Sequence, residues 1–326
     1  MDIGERKFSL NDLGINEDIN NISINSKILK EKILYEDGQG YLINKDKERR
    51  CLINYIKEYY RGGYGKLFLV KRTTNINEYC LVKIPIYKDS DLFIEAILQY
   101  MSYKVLESLH LEYMLAKVYD IYTRNSIVHF SMELKNGIFF KQFIEESKTP
   151  EKDFINCFIQ ICIVLYYLEN ILCLDHRDLH YTNLLIIKKP SIINININNE
   201  NYILNTDFHI CILDFGFACT GFNTTCINAS EELFKVNTFC MKPGRDIFQL
   251  LASIWCIKEV RNKMNAQFCD IINSFFKYKD KDYSILIKDE TKAEWSYVVT
   301  NKNDFIFPPL IPEKLLNTLY RLKDIF

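Results

Sequence analysis

The sequence predicts an α+β chain in two parts, with a small β-rich first part and a mainly helical second part. A glycine turn at residues 61–65 leads into the apolar run 67–70, and a second apolar run at 79–84 follows a short turn, as in a β-hairpin. The most apolar run, residues 155–174, lies within a predicted long helix over residues 150–174. The chain has 326 residues, enough for two compact units at about 150 residues each.

Composition is that of a globular protein: 48% of the residues are hydrophobic, 25% are charged, and the formal net charge is −1. This charge argues against nucleic-acid binding through bulk electrostatics, although it leaves a local basic patch open. Residues 1–11 contain no apolar core segment, so no secretory signal is predicted. The 11 cysteines form no C-x-x-C pair and are expected to be reduced thiols in a reducing compartment rather than zinc ligands.

The first part is predicted to follow a polar extension over residues 1–40 and to occupy residues 41–134. Residues 46–60 have apolar positions at a helix-like spacing that a strand could equally carry. Residues 91–106 place apolar side chains on one helical face. Two further strands are predicted at 117–122 and 127–134.

The second part is predicted to span residues 135–326 and to begin with the long apolar helix. Four polar residues interrupt its apolar run over residues 155–174, so a buried core helix is favoured over a membrane span. The other predicted elements are a strand at 183–188, a hairpin at 191–205, a strand at 208–213, a loop at 216–242 and a helix at 244–259.

The residues that carry chemistry lie in the second part. The run LDHRDLHYTNLLII contains His176-Arg177-Asp178, with Asn183 five residues after the aspartate, and an apolar strand later ends in Asp214-Phe215-Gly216. Two carboxylates and an amide converging beside apolar strands are costly unless a cation lies among them. The pattern therefore predicts a site built around a hard metal ion.

This pair of motifs resembles the H-R-D-L-x-x-x-N and D-F-G signatures of the eukaryotic-type protein kinase superfamily. The resemblance covers about residues 55–260 and implies a bilobal protein-kinase-like fold that uses ATP and Mg²⁺. It implies that Asp178 accepts or orients the proton of the attacking hydroxyl. It also implies that Asn183 and Asp214 hold Mg²⁺ on the phosphates.

The first part contains matching segments. The turn Gly62-Gly63-Tyr64-Gly65 with Leu67 resembles the end of a glycine-rich phosphate loop, although Tyr60 replaces the first glycine of the family pattern. Lys83 matches the lysine of V-A-I-K, and strand alternation is expected to direct it inward with Leu81, on the face opposite Val82 and Ile84. A buried lysine needs an anion, which ATP phosphates and a glutamate would supply.

Glu95, beside the apolar stripe of the next helix, is the favoured glutamate partner, and Glu107 is the alternative. The segment Met132-Glu133-Leu134 resembles the strand that leads into an adenine-binding hinge, with Met132 as gatekeeper or as an ordinary core residue. The resemblance also implies that Asp246, which opens a helix, bonds the backbone around His176-Arg177-Asp178.

Several features depart from the family pattern. No A-P-E sequence follows D-F-G, and His180 stands where serine/threonine kinases commonly have lysine, as it does in haspin-type kinases, which also lack A-P-E. The hairpin at 191–205 is an insertion. Arg177 could pair with a phosphate in the loop, but we expect activity without loop phosphorylation. The candidate phosphate acceptors are Thr220, Thr224, Thr225, Ser230 and Thr238.

The sequence therefore predicts a serine/threonine kinase that acts on protein substrates, with Lys83, Asp178, Asn183, His180 and Arg177 as its catalytic set. A pseudokinase scaffold and a small-molecule kinase of related fold remain alternatives. We expect an intracellular monomer that contacts neither nucleic acid nor membrane directly. The 44 Ile and 29 Asn residues indicate AT-rich codons, which together with the divergence favour a large DNA virus or a reduced eukaryote.

Overall fold

The structure is a computed structural model. It describes residues 34–87, 92–222, 225–229, 240, 242–278, 281–284 and 310–326. The chain divides into two compact units. The first unit comprises residues 1–135 and 215–233, and the second comprises residues 136–214 and 234–326.

The described residues form seventeen strands and seven α-helices. The strands are β1 Leu34–Glu36, β2 Tyr41–Ile43, β3 Arg49–Arg61, β4 Gly65–Thr73, β5 Asn77–Pro85, β6 Val118–Arg124, β7 Ile127–Glu133, β8 Ile138–Phe139, β9 Leu174–Asp175, β10 Leu184–Ile187, β11 Ser191–Ile197, β12 Glu200–Thr206, β13 His209–Ile212, β14 Cys219–Phe222, β15 Thr225–Asn228, β16 Lys277–Tyr278 and β17 Lys281–Asp282. The helices are α1 Phe93–Glu107, α2 Phe140–Glu146, α3 Pro150–Leu172, α4 Arg245–Trp255, α5 Lys258–Lys263, α6 Ala266–Ser274 and α7 Pro312–Leu322.

The first unit contains a seven-stranded closed barrel in the order β1-β2-β3-β4-β5-β7-β6. Neighbouring strands in the barrel pair antiparallel, except that β1 and β6 pair in parallel and so close the barrel. Residues 34–36 were predicted to belong to a polar extension, and they instead supply β1. The ambiguous segment 46–60 is strand, since β3 covers most of it.

Alternation along the strands fills the barrel. The side chains of Cys80 and Val82 are fully buried in a cluster inside the barrel, together with Leu42, Cys51, Ile53, Val70 and Tyr122. Leu81 and Lys83 project from the opposite face of β5 and are only 8% exposed. Strand β5 is therefore covered on both faces.

Helix α1 follows β5 and confirms the predicted helix over residues 91–106 to within a few residues. Its buried positions include Glu95 and Gln99 among apolar neighbours. The predicted strands at 117–122 and 127–134 are confirmed as β6 and β7.

The segment after Phe215 differs from its prediction. Residues 216–242 were predicted to be a loop, but β14 and β15 pair antiparallel as a hairpin, with Thr220 opposite Ile227. Residues 223–224, 230–239 and 241 of the predicted loop lie outside the described residues. Thr220 is fully buried, a position that the polar composition of this segment did not indicate.

Helix α3 is the core of the second unit. Among the described residues it is the helix long and apolar enough to cross a membrane, and 83% of its apolar window is buried inside the protein. Burial of this kind is typical of the core helix of a globular protein. A small antiparallel sheet in the order β13-β10-β8 belongs to the same unit.

The inserted hairpin is confirmed as β11 and β12, paired from Ser191–Thr206 to Ile197–Glu200. One face is buried through Ile193, Ile195 and Ile197, and Ile192 is 74% exposed on the other. The hydroxyl of Tyr320 on α7 bonds both the amide nitrogen and the carbonyl oxygen of Ile203, at 3.0 and 3.1 Å. These bonds attach the insertion to the last helix.

The cysteines only partly match the expectation of reduced thiols. Among the described residues, eight cysteines lie outside any disulfide, and five of these are buried. Cys219 and Cys240 are disulfide-bonded, so the prediction of an entirely reduced set is wrong at these two positions. The spacing of the cysteines along the sequence did not indicate that these two would form disulfides.

Candidate active site

Lys83 of the first unit forms a buried ion pair with Glu95 at 2.5 Å. Their side chains are 10% and 4% exposed. The pair forms because β5 directs Val82 into the barrel and Lys83 outward, while Glu95 lies in the first turn of α1. The other candidate, Glu107, binds Lys104 instead and is 39% exposed. The structure therefore assigns Glu95 as the partner of Lys83.

The glycine turn between β3 and β4 lies against Lys83. The amide nitrogen of Gly62 donates to the carbonyl oxygen of Gly65 at 2.9 Å. A Cβ at Gly65 would lie 2.8 Å from Cε of Lys83, whereas a Cβ at Gly63 would meet nothing within 4 Å. Because Gly65 has no side chain, the alkyl chain of Lys83 can pack close against it. Leu67 pairs with Lys83 across the sheet and is partly buried.

The predicted hinge segment lies at the end of β7. Met132 is partly buried, and its Sδ lies 3.6 Å from Nε2 of Gln99 on α1. Glu133 forms an ion pair with Lys135 at 2.8 Å, and Leu134 is partly buried. Gln99 also donates to the carbonyl oxygen of Ala116 at 2.9 Å. The polar contact at Met132 was not predicted.

In the second unit, Asp246 holds the loop that carries Asp178. Its two carboxylate oxygens accept hydrogen bonds from the amide nitrogens of His176 and Arg177, at 2.6 and 2.9 Å. Asp246 and Arg177 are fully buried. This geometry confirms the expected contact between Asp246 and the backbone around His176.

Two further bonds align that loop with the end of β13. The Nε2 atom of His176 donates to the carbonyl oxygen of Leu213 at 2.9 Å, and the Leu213 amide donates to the carbonyl oxygen of Asn183 at 2.9 Å. Since β10 and β13 pair from Leu184–Ile212 onward, Asn183 and Asp214 lie at the same end of these two strands. The neighbouring Arg177 and the site residue Asp214 adopt left-handed φ angles of 64° and 59°, which cost energy in residues other than glycine.

Asp178, His180 and Asn183 lie within contact distance of one another. The amide Nδ2 of Asn183 donates to the carbonyl oxygen of Asp178 at 2.9 Å, and Nε2 of His180 lies 3.6 Å from Oδ1 of Asp178. Nδ1 of His180 lies 2.8 Å from Oγ1 of Thr182. The sequence motif indicated the first three residues, but nothing in it singled out Thr182.

Beneath the loop lies a cluster of buried charges. Asp175 forms an ion pair with Arg245 at 3.1 Å, both with completely buried side chains. Burial raises the pKa of the Asp175 and Asp246 carboxyls, and the nearby guanidinium groups of Arg245 and Arg177 oppose this rise. Burial likewise lowers the pKa of His176.

Glu169 on α3 belongs to this cluster. Burial, together with the negative charges of Asp246 and Asp175, raises the pKa of the Glu169 carboxyl to about 9, although the amide of Gly244 donates to it. At neutral pH this carboxyl is therefore protonated.

The donor set at the end of β10 and β13 fits a hard cation. The Nδ2 atom of Asn183 is engaged by Asp178, which leaves the oxygen Oδ1 to face other ligands, and Asp214 is exposed. The described residues contain no group of three or more His, Cys, Asp and Glu side chains that could hold a metal ion. A cation here would therefore need oxygens from a substrate, as Mg²⁺ with phosphates commonly does.

Arg177 was a candidate partner for a loop phosphate. It is completely buried, as is the candidate acceptor Thr220. Thr224, Ser230 and Thr238 lie outside the described residues, and the side chain of Thr225 is likewise not described. Activity without loop phosphorylation stays a prediction.

Comparison with known proteins includes a distant viral relative. No protein-family profile matches the chain. The chain is similar to a protein named Probable kinase 098L from Invertebrate iridescent virus 3, with 26% identity over 130 residues. The matched stretch covers 40% of this chain and 25% of that protein, so the chain spans about a quarter of the length of this curated relative. The match supports a distant kinase-like relationship to a viral protein.

Proposed function

We propose that this chain is a protein serine/threonine kinase that moves the γ-phosphate of ATP to hydroxyl groups of protein substrates. The observation that carries the proposal is the arrangement in the second unit. There Asp246 holds the backbone before Asp178, and the Asn183–Leu213 bond puts Asn183 and Asp214 at one end of two paired strands. Phosphoryl transfer needs mainly positioning and charge neutralisation, which this arrangement would supply.

We propose a bilobal protein-kinase-like fold for the two units. In its support, the first unit contains the antiparallel order β3-β4-β5-β7-β6 with α1 inserted between β5 and β6. The second unit is mainly helical apart from short sheets. The hairpin of β1 and β2 closes the first sheet into a barrel. It is an extra element compared with the fold that the sequence resemblance implies.

Each side chain has a distinct task in the proposed reaction. Lys83, held by Glu95 at 2.5 Å, would bind phosphate oxygens, and the backbone amides of the glycine turn would cover them. Asn183 and Asp214 would hold Mg²⁺, which supplies neutralisation of phosphate charge when bound. Asp178 would orient the acceptor hydroxyl and accept its proton.

The distant kinase-like relative supports phosphotransfer, and the kinase motifs around Asp178 and Asp214 favour a protein acceptor. One observation favours a second candidate, a small-molecule kinase of related fold. The segment after Gly216 contains no A-P-E sequence and forms the β14–β15 hairpin. In protein kinases this segment helps to bind the protein substrate, so an altered segment would suit an acceptor other than a protein.

Transfer of labelled phosphate from ATP tests both candidates. The full chain is incubated with casein, basic proteins, the chain itself and a panel of small alcohols, followed by phosphoamino-acid analysis. We expect labelled serine or threonine in protein, and labelling about 10²–10⁴-fold slower with Asp178→Asn. Labelling confined to small alcohols would favour the second candidate. Absence of transfer to every acceptor would overturn the proposal and leave the pseudokinase alternative.

A further inference from the structure

Gln99 on α1 is a buried polar side chain that forms its hydrogen bonds outside its own helix. It is 3% exposed, and its Nε2 atom donates to the carbonyl oxygen of Ala116 at 2.9 Å. Ala116 is itself buried and lies two residues before β6. The same Nε2 atom lies 3.6 Å from Sδ of Met132 on β7. Gln99 therefore connects α1 to the start of β6 and to the end of β7.

The contacts of Gln99 and Glu95 with the sheet repeat at the same spacing. The two residues are one helical turn apart on the same face of α1, and Glu95 meets Lys83 at 2.5 Å. On the sheet, Met132 lies opposite Leu81, two residues before Lys83 on the same face of β5. Four helix residues rise about 6 Å, and two strand residues span about 7 Å. Both contacts therefore form together in one register of α1 along the sheet.

The hydrogen bond of Gln99 makes departure from this register costly. If α1 moved along the sheet or rotated, the bond to Ala116 would break. A buried amide and a buried carbonyl would then lose their partner, and such groups are expensive to leave unsatisfied. An apolar side chain at this position would also pack, but apolar contacts have no preferred direction. The bond therefore specifies where α1 lies on the sheet.

We propose that Gln99 is a positioning residue that holds α1 in the register in which Glu95 meets Lys83. This inference rests on the proposed function, since it names a further determinant of the site that would bind ATP phosphates. Glu95 orients Lys83, and Gln99 orients the helix that carries Glu95. The sequence motifs did not indicate Gln99, because its partner is a backbone carbonyl 17 positions away.

Gln99→Met tests the proposal, because methionine has nearly the same length, is a good helix former and lacks the N–H donors. The loss of one hydrogen bond corresponds to about fivefold, or about 1 kcal/mol. We therefore expect KM for ATP to rise about fivefold, with KM for the protein acceptor unchanged. Partial unfolding would lower kcat alone, so an unchanged KM for ATP would overturn the inference.

Ser102→Ala is the matched control. Ser102 is also fully buried on α1, but its hydroxyl donates to the carbonyl oxygen of Leu98 in the same helix, at 2.8 Å. The substitution removes a buried hydrogen bond and leaves the bond between α1 and Ala116 in place. KM for ATP should therefore stay at the parent value. A rise equal to that of Gln99→Met would overturn the inference, because loss of any buried bond on α1 would then have the same effect.

A stability measurement that needs no activity separates this inference from the proposed function. Urea unfolding without nucleotide compares the effect of Lys83→Met in the parent protein and in Gln99→Met. If Gln99 holds the register, Lys83→Met should shift the urea midpoint less in the Gln99→Met background, where the ion pair with Glu95 is weakened. An equal or larger shift there would overturn the inference even in an active kinase. A smaller shift, found for a parent protein that transfers no phosphate, would overturn only the proposed function.

Discussion

Replacing Glu169 by glutamine should stabilise the protein increasingly as the pH rises. The carboxyl has an ordinary pKa of 4.5, raised in the folded protein to about 9. The folded state therefore holds this proton more tightly than the unfolded state, and its stability falls as the pH rises from 4.5 toward 9. Glutamine has nearly the same shape and stays neutral, so it removes this dependence.

The expected size follows from the linkage between proton binding and folding. Each pH unit inside the window changes the free energy of unfolding by about 1.4 kcal/mol. Between pH 5.5 and 7.5, the difference between Glu169→Gln and the parent protein should therefore grow by up to about 3 kcal/mol. Both proteins retain Asp175, Asp246 and His176, so the comparison largely cancels the titration of those groups.

Urea unfolding at pH 5.5, 6.5 and 7.5 measures this difference. The control is Glu146→Gln, which removes an exposed carboxyl on α2 and leaves the buried charge cluster unchanged. A pH-independent difference for Glu169→Gln would refute the reasoning, because it would mean that Glu169 ionises in the folded protein much as it does in the unfolded chain.

Three further predictions concern the proposed reaction. Asp178→Asn should lower kcat by about 10²–10⁴-fold with little change in MgATP affinity, whereas Lys83→Met should also weaken nucleotide binding. Initial rates and thermal shift with MgATP measure this contrast, and near-normal turnover of Asp178→Asn would mean that Asp178 is not a catalytic residue. Asp214→Ala should abolish transfer at physiological Mg²⁺, as measured by labelled phosphate, and retained activity would exclude it as a metal ligand. Gly65→Ala should raise KM for ATP more than Gly63→Ala. An added Cβ at Gly65 would lie 2.8 Å from Cε of Lys83, whereas one at Gly63 would meet nothing within 4 Å. Equal changes in KM in steady-state kinetics would contradict this account.

Local patterns predicted most of the elements around the candidate site. Apolar alternation and the glycine turn located β4 and β5, and the inserted hairpin followed from alternating isoleucines. Alternation also placed Lys83 opposite Val82, as found. These features depend on residues a few positions apart, and side-chain periodicity reports directly on them.

Segments whose partners are distant in sequence were predicted poorly. Strand β1 was assigned to a polar extension because three residues carry little periodicity, and it becomes a strand by pairing with β2 and β6. The β14–β15 hairpin was assigned to a loop for the same reason. The choice between Glu95 and Glu107 stayed open until the packing of α1 put Glu95 against Lys83.

The sequence by itself determined the chemical inventory of this protein: a lysine on the strand face opposite Val82, and an aspartate, an asparagine and a second aspartate at fixed spacings. Only the tertiary structure decided what surrounds them. It brought Asp246 to the amide of His176, 70 positions away, and enclosed Glu169 beside two other acids, which raises its pKa. The physical reason is that residue type and spacing specify which groups can react, whereas charge, protonation and orientation depend on neighbours that the folded chain brings from far along the sequence.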